Sequence, residues 1–88
     1  MLLRCSAAFA IMSHRQAAGD EEALRFPPLQ QRGSEFFVRS SVRVMDEAGL
    51  DRAAMVRAMN REAQDLVESG SLAGVMPACL QALEAAGL

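Results

Sequence analysis

Four interruptions govern what this chain can fold into: Phe26-Pro27-Pro28, Gly49, Ser69-Gly70 and Gly87. Between them apolar residues recur every three or four positions, which is the spacing of one helix face. Two prolines cannot continue a helix, and a glycine just past the last turn is a common helix stop. The residues available suit that pattern. Sixteen Ala and ten Leu stand beside six Val, one Ile and no Thr, and Tyr and Trp are absent. Ala and Leu lose little freedom in a helix, whereas strands favour the branched and aromatic side chains that are scarce here. An all-β fold is excluded.

The first segment carries Leu2, Cys5, Phe9, Met12 and Gln16 on one face, widened by Ala8 and Ile11. It predicts a helix over roughly 3–25, weakened or kinked near Gly19, with Asp20 available as an N-cap where it restarts. Ser34 reads as the N-cap of a second helix over roughly 34–48, with Pro28 offering an earlier start. The buried face of that helix is expected to be Phe37, Ser41, Val44 and Ala48, with Phe36 and Met45 beside it. On the opposite side Glu35, Arg39, Arg43 and Glu47 form a ladder at i, i+4 spacing.

Gly49 stops the second helix and Asp51 caps a third over roughly 52–69, so these two form a tight hairpin. Val56, Met59, Ala63, Leu66 and Val67 are expected on the inner face of the third helix, with Met55 at its edge. Arg57, Arg61, Gln64 and Glu68 fall on the outer face. Residues 71–76 read as a connection with at most one turn begun by Ser71. Pro77 then opens a last helix over roughly 77–86 that carries Leu80, Leu83 and Ala86, with Cys79 near the same face. The expected architecture is all-α: one domain over residues 1–88, a compact four-helix bundle with a helix 2–helix 3 hairpin and its first and last helices adjacent.

A chain of 88 residues has no room for a second core and buries only about 60% of its unfolded surface, so a staple or a partner is expected. Cys5 and Cys79 lie near opposite ends. With the end helices side by side they fall at compatible levels, and a bridge there implies an oxidising compartment such as a periplasm. Two separate buried thiols remain the alternative. The apolar stretch Cys5 to Met12 imitates a signal peptide, but His14 and Arg15 follow where small residues belong. Leu2-Leu3-Arg4-Cys5 imitates a lipoprotein box, against which the Arg counts. The segment is read as a folded helix, any export signal being already removed. No apolar run reaches the ~18–20 residues of a membrane span.

All nine basic residues are Arg, and eleven acids bring the formal charge to −2, which argues against a nucleic-acid binder. Six Arg and four acids lie in residues 1–44, three Arg and seven acids in residues 45–88. Such an asymmetry reads mostly as solvated faces, though it can also orient a partner or pair two copies as a homodimer. His14, the single histidine, has no neighbour at catalytic or ligand spacing. Gly70-Ser71-Leu72-Ala73-Gly74 lacks the Lys and Ser/Thr of a phosphate loop. The acid pairs Glu21/Glu22 and Asp46/Glu47 are sequence neighbours that do not face each other on a helix. Six Met are the one enrichment. Thioethers suit Cu(I), but no local Met/His/Cys cluster forms, so no catalytic residue, metal or cofactor is expected. Adaptable packing is their ordinary use, and a Met-Phe surface of Phe36, Phe37, Met45, Met55 and Met59 is the candidate partner-binding face.

The stretches Arg4-Cys5-Ser6-Ala7-Ala8-Phe9-Ala10, Arg32-Gly33-Ser34-Glu35-Phe36-Phe37-Val38-Arg39, Met45-Asp46-Glu47-Ala48-Gly49-Leu50 and Met76-Pro77-Ala78-Cys79-Leu80 resemble a group of small, uncharacterised two-cysteine alphaproteobacterial proteins. That resemblance implies export and pairing of Cys5 with Cys79, and it brings no activity. A weaker likeness, without a shared motif, is to the periplasmic acid-stress chaperones. The expected function is therefore a non-enzymatic protein of the bacterial envelope, periplasmic, acting on a protein partner. The alternatives are a periplasmic stress holdase and a cytoplasmic regulatory module with reduced cysteines.

Overall fold

A computed structural model describes residues 1–88. Four α-helices account for most of the chain: α1 Leu2–Ala17, α2 Gln30–Ala48, α3 Arg52–Glu68 and α4 Leu72–Ala85, with one 3-10 turn at Ala23–Arg25. They form a helical bundle in which α1 touches each of the other three. The sequence of α1 explains its central place. Its residues 5–9 are Cys, Ser, Ala, Ala and Phe, all buried in succession, so the helix is covered nearly all round rather than along one stripe. Small side chains let the neighbouring helices approach it from several sides.

The closest approach is at Gly33 on α2. A Cβ there would lie 3.1 Å from the Phe9 Cβ, so Phe9 packs against bare backbone. Phe36, one turn on, meets Phe9 edge to face with ring centroids 5.2 Å apart and planes at 86°. Ser40 continues the same buried line. The inner face of α2 is therefore Gly33, Phe36, Ser40 and, half-buried, Val44. This corrects the expected Phe37, Ser41, Val44 and Ala48 face by about one residue, roughly 100° of rotation. The contact at Gly33 sets that rotation; a missing side chain cannot register in a search for apolar periodicity.

Three boundaries also differ from expectation. The first helix ends at Ala17 and not near residue 25, because Gly19 adopts φ +81° and turns the chain. Asp20 Oδ1 accepts the Ala23 N–H at 3.0 Å, but no helix restarts there: the element is a single 3-10 turn whose N-cap position is Glu22, not Asp20. The second helix starts at Gln30, so Ser34 lies inside it and is not its cap. Its start is pinned by Leu29, fully buried, directly after Pro27-Pro28. The last helix starts at Leu72, which places Pro77 in its interior and not at its first turn. Leu72, Met76, Cys79 and Leu83 form its buried stripe, and that burial outweighs the hydrogen bond Pro77 cannot donate.

The turn between α2 and α3 follows the expected design. Gly49 sits at φ +65°, a left-handed conformation open to glycine at no steric cost, and the Leu50 N–H reaches back to the Met45 carbonyl at 3.2 Å. Asp51 Oδ1 accepts the Ala54 N–H at 2.8 Å and caps α3. On α3, Met55 and Leu66 are buried, while Val56 and Val67 are about half exposed and not on the inner face.

Candidate functional site

Cys5 on α1 and Cys79 on α4 stand at disulfide distance, with Cα atoms 5.2 Å apart and both side chains fully buried. The pair lies within the hydrophobic core and joins residues 74 apart in sequence. It closes nearly the whole chain into one loop.

The five candidate partner-binding residues separate in the fold. Phe36 and Met55 are 3% and 4% exposed, so neither meets a partner while the bundle is closed. Met45 is half-buried near the end of α2. Phe37 and Met59 do come together, at a pocket of about 270 Å³ between α1, α2 and α3. Its α1 side is formed by Ser6, Ala10 and Ser13, small residues one and two turns apart, and Gly33 and Ser34 contribute from α2. No charged side chain lines it. Ser6 is 1% exposed and its Oγ has no hydrogen-bond partner in the protein.

Beside that pocket α2 presents an apolar strip to solvent. Phe37, Val38 and Val42 are 37%, 60% and 58% exposed. Salt bridges flank it: Arg39 lies 3.7 Å from Glu35 and Arg43 2.9 Å from Glu47. These are the ladder pairs expected on the outer side of α2. Neither valine stood out in the sequence, because each lies one position from the residues assigned to the buried face. The 6/10/13 spacing of small residues on α1 was the legible signal for the pocket.

Three arginines tie elements of the fold together. Arg4 Nη1 donates to Asp65 Oδ2 at 2.7 Å and to Glu62 Oε2 at 3.2 Å, tying α1 to α3. Asp65 first, and then Glu62, raise the Arg4 pKa above its ordinary value. Arg32 and Arg39 donate to the carbonyls of Leu88 and Ala86 at 2.8 and 2.9 Å, where the end of α4 leaves acceptors free. Arg57 and Arg61 are exposed and pair with no acid. His14 is exposed at the last turn of α1. No three His, Cys, Asp or Glu side chains converge in the geometry of a metal site, and no helix is long and apolar enough to cross a membrane.

Compared with family models, with curated proteins and with solved structures, the chain matches none.

Proposed function

We propose that this chain is a small non-enzymatic protein of the bacterial envelope that acts through contacts with a protein partner, as its likeness to the exported alphaproteobacterial proteins implies. The observation that carries the reading is the strip Phe37, Val38 and Val42, exposed on α2 and rimmed by ion pairs. An apolar strip with a charged border is the usual form of a contact surface. Export is supported by Cys5 and Cys79, a buried pair at disulfide distance, since cytosolic reductants hold such pairs open.

A photo-crosslinking residue placed at Val42 in the native cell tests this, with the same residue at exposed Arg57 as the control. One discrete adduct from position 42, absent from position 57 and found in the periplasmic fraction, is the expected result. No adduct above the control overturns the reading. An adduct confined to the cytosol favours a cytoplasmic regulatory module with reduced cysteines.

The holdase reading draws on a different observation, the burial of Phe36 and Met55 beneath helices that lean on α1. A holdase must lift α2 or α3 to expose them. Acid-induced binding of a hydrophobic dye, together with suppressed aggregation of a client, favours that alternative.

A further inference from the structure

One face of α2 stays in water, and its two flanks differ in chemistry. Val38, Val42 and Met45 recur at i, i+4 and i+7 along it, the spacing with which one helix meets another. Val38 and Val42 are 60% and 58% exposed, and Met45 is half-buried. Arg39 and Asp46 stand beside the same line, again seven residues apart, and both are exposed. At about 100° per residue these two fall on one side of Val42, while Val38 and Met45 fall on the other. Asp46 is the one acid of α2 that forms no ion pair, and Arg39 holds Glu35 only loosely, at 3.7 Å.

Such a face complements a copy of itself. Two α2 helices laid antiparallel about a two-fold axis through Val42 set each flank against the same flank of the other copy. On one flank Val38 then comes within one residue, ~1.5 Å along the helix, of the level of Met45 in the second copy. On the other flank Arg39 comes equally close to the level of Asp46, and symmetry repeats both matches. Val42 meets Val42 on the axis. A single register thus pairs apolar with apolar and plus with minus. A parallel pairing would instead set the charged flank of one copy against the apolar flank of the other.

We propose that the partner seated on α2 is a second copy of this chain, docked α2 to α2 in antiparallel register with Val42 on the two-fold axis. The proposal rests on reading the α2 strip as a contact surface, and it names the occupant. Five residues a side fall short of the ~800 Å² per partner of a standard interface, so the dimer is weak and forms as concentration rises.

Sedimentation equilibrium of the full oxidised chain tests it. The mass is expected to rise from 9.5 kDa towards twice that value as concentration approaches ~1 mM. Asp46→Arg sets arginine against arginine, Arg39→Asp sets acid against acid, and each is expected to weaken association about tenfold. An equimolar mixture of the two variants restores both attractions and is expected to associate as the wild type does. Val42→Glu puts two carboxylates on the axis and is expected to abolish association, whereas Val56→Glu, at an exposed position of α3, leaves it unchanged. Arg39→Asp also loses the bond to the Ala86 carbonyl, so Asp46→Arg and Val42→Glu carry the test if that variant does not fold. A 9.5 kDa mass at every concentration overturns the proposal. So does association that survives Asp46→Arg or Val42→Glu, or a mixture of folded variants that stays monomeric. A monomer in the centrifuge, together with a Val42 adduct to a different protein in cells, overturns the dimer alone and leaves the contact surface standing.

Discussion

Gln16 shows how much one side chain can settle in a small protein. The two hydrogens of its Nε2 are shared among the carbonyls of Ala23, Phe26 and Pro27 at 3.0, 3.3 and 2.9 Å, and its Oε1 accepts the Leu29 N–H at 3.1 Å. One amide thus gathers the segment between α1 and α2, which has no strand or long helix to satisfy its backbone. Gln16→Leu keeps the bulk and removes every one of these bonds. It is expected to cost about 2 kcal/mol by chemical denaturation, since several half-buried groups lose partners together. Ser6→Ala is expected to act in the opposite sense, raising stability by ~1 kcal/mol, because it deletes a buried hydroxyl that has no partner. Both residues sat on or beside the first helix's apolar face in the sequence. What each does there depends on neighbours distant in the chain, and helical spacing carries no record of them.

The elements were legible wherever local chemistry decides them. Gly49 and Asp51 announce the end of α2 and the start of α3 through a left-handed turn and an N-cap, both of which act within a few residues. The misread features were decided by packing. Pro77 looked like a helix start, yet the stripe Leu72, Met76, Cys79 and Leu83 carries α4 through it. Phe37 and Phe36 are adjacent, and only the fit of Phe9 against Gly33 determines which of them turns inward. Two glycines on helices separate these effects. Gly74 on α4 is exposed with nothing within 4 Å of an added Cβ, so Gly74→Ala is expected to stabilise by ~1 kcal/mol through helix propensity alone. Gly33→Ala has the same propensity gain but presses on a fully packed Phe9, and it is expected to show no net gain. Equal stabilisation at the two positions, measured by urea midpoints at constant m, contradicts the close α1–α2 contact.

At the scale of the whole molecule, four short helices surround one another with a radius of gyration of 12.5 Å, close to the ~12 Å of a folded chain this long. A core this small leaves little stability in reserve, so the link between its first and last helices weighs heavily. Closing residues 74 apart in sequence removes loop freedom from the unfolded chain that is worth about 4 kcal/mol. Reduction, or Cys5→Ala with Cys79→Ala, is expected to lower stability by about that amount and bring the chain close to unfolding. Because both cysteines are fully buried, reductant is expected to act slowly under native conditions and rapidly in urea. The adjacency of the end helices was readable from the sequence. The exposed strip on α2 was not, because Val38 or Val42 looks like any other valine until the rotation of α2 is known.

The central claim is a bundle stapled across its ends and working outside the cytosol. It is tested most directly by counting free thiols on protein trapped with acid straight from its native cells, by alkylation and intact mass, with and without prior reduction. No free thiols before reduction and two after it are expected, on a monomeric mass and in the periplasmic fraction. Two free thiols before reduction would contradict the staple and the envelope location together.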